Sequence, residues 1–332
     1  MILSICIPNY NRSKYLENCL NSIYIASKEI SNFEFEVCIS DNCSEEKISE
    51  IIKKFQNKIN IKFYQNPKHI GIGLNAIQSV KMAKGKFAWV IGNDDLLTPL
   101  ALLTLDRLLK KPDIDFLFIN SFFLKLSYLE KFKHPIDTKK IQFSSLDKMS
   151  KLNSDKELNF WEIIDPKISW DFLIGIFFSI FKREKFLKEV ENLDTEKLHD
   201  LRTWSNIENT CFHPMLLSMA FKNSKSFFCA KPLSLNLTGE REWKKLYEFV
   251  EIIRIPELLD FYRKQGMGFL RYYYCKNFAL RNFSNFFAKI LLGGEEKGRN
   301  YLRFKSHFFN NLIFPNTFLS IIYFILRKIK KK

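Results

Sequence analysis

The first hundred residues carry a regular alternation that few folds can accommodate. Four short apolar runs, Leu3–Ile7, Phe35–Ile39, Ile59–Tyr64 and Phe87–Ile91, each stop at a polar cluster. Between them lie stretches with helical spacing. Ser13–Ala26 places Tyr15, Leu16, Cys19, Leu20, Ile23 and Tyr24 on one face. Ser44 reads as the N-cap of a helix running to Phe55, with Glu45 and Glu46 in its first turn. Gly71-Ile72-Gly73 leads into a helix over Leu74–Ala83, which Lys84-Gly85-Lys86 ends. Strands joined by helices of this length need crossover connections, so the pattern predicts an α/β fold with a mostly parallel central sheet flanked by helices. In such sheets ligands bind beyond the carboxyl ends of the strands. Those ends hold Pro8-Asn9-Tyr10-Asn11, Ser40-Asp41-Asn42, Asn66-Pro67 and Gly92-Asn93-Asp94-Asp95, so four polar clusters converge on one rim.

Beyond residue 110 the signals thin out. Asp115–Asn120 reads as a fifth strand, and the polar, irregular tract 125–165 as a mobile loop or lid. Gly175–Phe181 reads as a strand entering a helix at Lys182-Arg183-Glu184; Glu208–Phe221 reads as a helix and Ser226–Leu237 as another strand. From Trp243 onward the pattern is helical and rich in aromatics.

With 46% apolar and 27% charged residues, the chain can bury a core, which excludes a disordered protein. Its seven cysteines include no Cys-x-x-Cys pair, which argues against a zinc site or a disulfide framework and fits a reducing cytoplasm. The N-terminus lacks the basic segment of a signal peptide. The apolar stretch Thr317–Leu326 falls short of the roughly 20 residues that a spanning helix needs. The charge is lopsided: of the overall +16, residues 241–332 hold 19 Lys and Arg against 7 Asp and Glu. Such a tail seeks an acidic partner. The segment Phe318–Leu326, ending in Arg327-Lys328-Ile329-Lys330-Lys331-Lys332, suits an anionic membrane surface, or else a helix laid on its own domain with a solvated basic end.

The rim clusters suggest a chemistry. Asp94 and Asp95, at a strand end opened by Gly92, suit a divalent ion held through one or two carboxylates and shared with phosphates; the same pair also suits an acidic turn before the helix near Thr98-Pro99. Asp41 and Asn42 suit a nucleobase or ribose as well as a simple Asx turn, Tyr10 suits stacking on a base, and Asn75 suits the site's edge. Gly71-Ile72-Gly73 is neither a P-loop nor a dinucleotide fingerprint.

Taken in order, Ser4-Ile5-Cys6-Ile7-Pro8-Asn9-Tyr10-Asn11-Arg12, Phe35–Ser44, Asn66, Gly71, Asn75, Ala83-Lys84-Gly85 and Gly92-Asn93-Asp94-Asp95 resemble the opening of family 2 glycosyltransferases of the GT-A fold. The resemblance is dense over residues 2–100 and fades by residue 238. It implies a glycosyltransferase domain over 1–238, with a nucleotide-sugar half (1–110) and an acceptor half (111–238), followed by a basic helical region over 239–332. It further implies that Pro8, Tyr10 and Asn11 line the donor site, that Asp41 and Asn42 contact the base, and that Asn93 lies near the ribose. Asp94, with Asp95, would hold Mn²⁺ or Mg²⁺ on the donor diphosphate.

The family's general base is a carboxylate at the start of a helix before a late strand. His213, Glu208 and Asp200 lie near that place, His213 closest by spacing to Lys231-Pro232-Leu233. The implied reaction is inverting transfer to a glycan or lipid-linked glycan in bacterial surface-polysaccharide synthesis. It would take place in the cytoplasm, on the inner face of the membrane. Asn42 and Asn93 stand where Asp is usual, which keeps an inactive scaffold in view. The interleaved Arg, Tyr and Phe of residues 263–289 raise nucleic-acid binding as a weaker competitor.

Overall fold

The computed structural model describes residues 1–111, 113–169, 175–202, 204–238 and 242–329. The alternation is realised as β1 (Leu3–Asn9), α1 (Ser13–Ser27), β2 (Phe35–Asp41), α2 (Ile48–Phe55), β3 (Ile61–Gln65), α3 (Ile72–Lys81) and β4 (Phe87–Val90). β1 and β2 each run two residues past the apolar stretch, carrying Asn9 and Asp41 into the ladder. The helix placed after Ser44 begins later, at Ile48, and Ser44 is no cap. Its side chain binds Asp41 and the Asn11 backbone instead.

A two-residue β5 (Leu96–Leu97) and α4 (Ala101–Leu109) follow, then β6 (Phe116–Lys125), β7 (Lys156–Asn159), β8 (Ser179–Lys182), α5 (Arg183–Lys188), α6 (Ile207–Phe221) and β9 (Lys225–Thr238). The sheet order is β3-β2-β1-β4-β8-β6-β9-β5, with β7 also on β9. The expected parallel pairing runs through β3, β2, β1 and β4 and returns between β6 and β9. β8 is antiparallel to both β4 and β6, and β5 and β7 are antiparallel to β9, so the second half is mixed. Antiparallel neighbours need no crossover helix, which is why helical periodicity fades after residue 110.

Residues 125–165 do not form the expected lid. Leu129, Ile136 and Ile141 are buried in a second apolar cluster with Phe122, Leu124, Leu235 and Leu237. Asn18 and Asn21 of α1 clamp the Ile136 backbone at 3.0 and 2.8 Å. The tract is polar in composition, yet these apolar side chains point inward.

The C-terminal region forms α7 (Ile255–Lys264), α8 (Phe269–Ala279), α9 (Phe283–Gly293) and α10 (Pro315–Ile329). It is not an appendage on a tether. Ile255, Leu258, Leu259 and Tyr262 belong to the same core as the sheet, and the Tyr262 ring lies 5.5 Å from that of Trp161. Among the described residues no single helix is long and apolar enough to cross a membrane.

Candidate active site

The rim is organised by the register of the strands. Pairing of β1 with β2 sets Asn9 directly beside Asp41. The β1–β4 register pairs Cys6 with Val90, and three residues further along it brings Asn93 beside Asn9. The fully buried Asn9 side chain therefore joins three strand ends. Its amide donates to Asp41 Oδ1 at 2.7 Å, and its carbonyl accepts from Asn93 Nδ2 at 2.7 Å. Asp41 also accepts from the Ser44 backbone N–H (2.9 Å) and hydroxyl (2.5 Å). Its charge is thus balanced by three donors rather than by a cation, which satisfies a buried carboxylate.

The fourth strand end is tied in by Asn75 of α3. Asn75 Nδ2 donates to the Asn9 backbone carbonyl (3.1 Å), while its Oδ1 accepts from Ser40 Oγ (2.7 Å) and from Asn66 Nδ2 (3.0 Å). With both ends of its amide so engaged, Asn75 supports the rim from beneath instead of facing the site's edge, the place its sequence context suggests. Asn42 has a structural partner too: its Oδ1 accepts from the Ile70 N–H at 2.8 Å, holding the turn ahead of α3. That turn needs glycine at 71, where φ is +89° and an added Cβ would lie 3.0 Å from the Leu198 carbonyl.

Two loops cross above this floor and brace each other. Asn11, Arg12 and Cys43 all adopt left-handed backbone, at φ 50°, 61° and 65°. The strain is held by cross-bonds: Asn11 N–H to Ser44 Oγ (2.6 Å), Glu45 N–H to Asn11 Oδ1 (3.1 Å), and the Arg12 and Ser13 N–H groups to the Glu46 carboxylate (2.8 and 2.5 Å). Glu46 thus caps α1, which has no cap of its own. Asn11 serves this brace. Tyr10 stands above it, 46% exposed, edge-on to His69 at 4.6 Å. Pro8, two residues earlier at the end of β1, is half-buried.

The two adjacent carboxylates divide their roles. Asp95 is buried, accepting from the Gly92 N–H (2.7 Å) and from Asn236 Nδ2 (2.8 Å). It locks the turn to β9, so the expected second metal ligand is a structural residue. Asp94 remains partly open, its side chain 18% exposed, with Arg12 Nη1 3.5 Å away. Gly92 makes room for both: an added Cβ would sit 2.6 Å from Asp94 Oδ1. Among the described residues no three His, Cys, Asp or Glu side chains converge as a complete metal site. One open carboxylate does fit an ion that takes its remaining ligands from water and a substrate's phosphates.

The candidates for the base lie on the second half. Residues 198–201 cover the Gly71 turn, with Leu201 near the same glycine. Asp200 accepts both arms of Arg202, at 2.9 and 2.7 Å, which hold its carboxyl far below the usual range. Glu208, in the first turn of α6, accepts from Lys197 Nζ at 2.8 Å through one oxygen. His213 is closest by spacing, but its ring is buried inside α6 against the Gly175 backbone. Burial pushes its imidazole down to about 3, so it is neutral and shielded from solvent. Pro214 follows it within the helix, whose backbone departs from helical geometry at Cys211.

A parallel half-sheet with a polar rim, extended by a mixed second half, is the GT-A fold. Residues 4–166 match the family model described as Glycosyl transferase family 2, and this part of the chain is a domain of that family. Among curated relatives, the abequosyltransferase RfbV of Salmonella typhimurium is 41% identical over 99 residues, 29% of each chain. The poly(ribitol-phosphate) beta-N-acetylglucosaminyltransferase TarS of Staphylococcus aureus (strain Mu50) is 34% identical over 96 residues, 29% of this chain and 16% of that protein. The matched stretch is thus under a third of either relative's length. The crystal structure of S. aureus TarS 1-349 in complex with UDP is similar in fold, with a TM-score of 0.58 and 18% identity, covering 88% of this chain and 75% of that one.

Proposed function

We propose that this protein moves a glycosyl group from a nucleoside-diphosphate sugar to a hydroxyl of a glycan or lipid-linked glycan, inverting the anomeric centre, in bacterial surface-polysaccharide synthesis. The observation that supports this most directly is the Asn9-centred network. It leaves Tyr10 and Asp94 standing above a rigid floor that joins all four strand ends. In this reading Tyr10 and Pro8 flank the nucleoside, the Asp41–Asn42 turn borders the base, and the backbone around Asn93 borders the ribose. Asp94 alone holds Mn²⁺ or Mg²⁺; when bound, such an ion neutralises charge on the departing diphosphate. Arg12, beside Asp94, adds a fixed cation on the same side. Glu208 takes the acceptor proton: it sits at the start of the helix before β9 and keeps one oxygen clear of Lys197. Relatives named for abequosyl and N-acetylglucosaminyl transfer support the class of reaction. The anionic membrane surface, on the inner face of the cytoplasmic membrane, belongs to the same reading.

The test is a thermal-shift panel of UDP-, GDP-, CDP- and dTDP-sugars, with and without Mn²⁺ or Mg²⁺, followed by hydrolysis of whichever donor binds. One donor should raise the midpoint in a metal-dependent way. No shift with any donor would overturn the reading in favour of a scaffold. Salt-sensitive binding to oligonucleotides without donor binding would favour the nucleic-acid alternative.

A further inference from the structure

The C-terminal helix α10 turns most of its apolar residues outward. The face it turns to its own domain carries Thr317 and Ser320, both buried, with Ile321 and Phe324 half-buried beside them, while Phe318, Leu319, Ile322, Tyr323, Ile325 and Leu326 are exposed. Their spacing follows one broad helical stripe. The helix is held by polar bonds: Ser284 and Ser320 share a hydroxyl bond at 2.8 Å, and Asn316 Nδ2 donates to the Asn277 carbonyl at 2.8 Å. A helix whose inward side needs only two half-buried apolar residues beside these polar bonds, and which keeps six more outward, is built to place those six in something other than water.

The surface continues past the helix. The segment Phe304–Asn311 meets α10 at 91°, and Phe309 and Ile313 near this corner are 61% and 74% exposed. Charge identifies the occupant. After Glu296 the sequence contains nine Lys and Arg and no acidic residue, and five of the nine lie in the last six positions. An apolar stripe with Phe and Tyr, running into a cluster of cations, matches an acyl–headgroup boundary bearing negative charge. The run of cations without an acidic residue favours a uniformly anionic surface over a protein face of mixed charge. The helix is also too short to span: 15 residues rise about 22 Å, against a hydrocarbon core of about 30 Å.

We infer that α10 and the adjoining 304–313 corner dock the protein flat on an anionic phospholipid bilayer. The helix lies in the plane of the interface, and the polar bonds to α8 and α9 stay intact. This rests on the membrane-surface part of the proposed function, but it is tested without donor or acceptor, so its failure and that of glycosyl transfer are read separately.

The full chain is sedimented with phosphatidylcholine vesicles with and without phosphatidylglycerol, at low and high salt. It should bind only the anionic vesicles and be released by salt. The double substitution Ile322→Glu with Leu326→Glu should lower the partition coefficient by about tenfold or more, with an unchanged thermal midpoint because both side chains are already exposed. Single variants Phe318→Trp and Leu326→Trp report depth through quenching by brominated lipids, read as the difference from the wild-type signal of the five native tryptophans; an in-plane helix gives equal, shallow quenching at both. Wild-type protein left in the supernatant, or wild-type-like partition of the double variant, overturns the proposal. Unequal depths overturn the in-plane geometry. A wild-type dimer in lipid-free solution that the double variant abolishes would assign the face to a second copy instead.

Discussion

Replacing Asn9 with Ala tests the floor of the site. The side chain is fully buried and out of a ligand's own reach, so any effect on donor binding must travel through the Asp41 and Asn93 side chains it holds. The change removes the 2.7 Å donor to Asp41 and the 2.7 Å acceptor for Asn93. A hydrogen bond to a charged group contributes about 1.5–3 kcal/mol and a neutral one about 1 kcal/mol, so the loss should be about 2.5–4 kcal/mol. That is a large part of the 5–15 kcal/mol typical of a folded domain. Urea unfolding followed by circular dichroism reads the cost, and donor thermal shift reads the consequence for binding. Asn9→Asp sharpens the test. It sets a second carboxylate against Asp41, so one of the two must carry a proton and the pair's folded pKa rises above the ordinary value. Stability linked to that proton is present in acid and lost as pH climbs through the raised pKa, so the variant should be relatively more stable at pH 5 than at pH 8. A cost below about 1 kcal/mol for Asn9→Ala, together with a flat pH response for Asn9→Asp, would refute the idea that this amide holds the strand ends together.

Asp94→Asn should abolish metal-dependent donor hydrolysis while shifting the thermal midpoint little, since the carboxylate is partly open and makes a single long contact to Arg12; calorimetry on wild-type protein should show Mn²⁺ binding strengthened by nucleotide, because one protein carboxylate is an incomplete site. Glu208→Gln should lower kcat about 100-fold or more with little change in donor affinity, and His213→Gln should leave transfer in place. His213 instead governs acid stability: its folded pKa of about 3 lies below the ordinary 6.5, so its contribution is full above pH 6.5 and is lost as pH falls toward 3. Comparative unfolding of His213→Gln should show that roughly 3–5 kcal/mol of the wild-type loss over this window is absent. Cys43 is the only one of the seven cysteines that is not buried, and it sits on the loop beside Asp41. Its alkylation, followed by mass spectrometry, should slow when the matching donor is bound.

The first half of the fold is legible in the sequence because parallel strands need crossover helices, and both leave strong periodic signals. The second half is not, because β8, β7 and β5 join by antiparallel pairing, and β7 and β5 are too short to show a period. The polar rim is legible as a cluster, but the division of labour within it is not. Asp94 and Asp95 are adjacent and identical in type; only the turn at Gly92 decides which faces out. Asn9 could be found from the strand offsets, which set residue 9 between 41 and 93. The sequence sets Arg12 in a motif and Glu46 beside a helix start without giving either its partner, and leaves His69 unmarked, because their positions depend on two left-handed loops meeting in space. His213 misleads because spacing along the chain says nothing of which side of a helix faces the core.

The mutual bracing of the 10–13 and 43–46 loops bears on how such a domain could be re-engineered. Each segment keeps its unusual backbone only because the other supplies the acceptors and donors it lacks. Grafting either one from a relative with different donor preference would strand those groups. Transplanting the two as a matched set, with Asn9 and Asp41 retained between them, carries the whole interlock across, and chimeras made this way are the ones to build first.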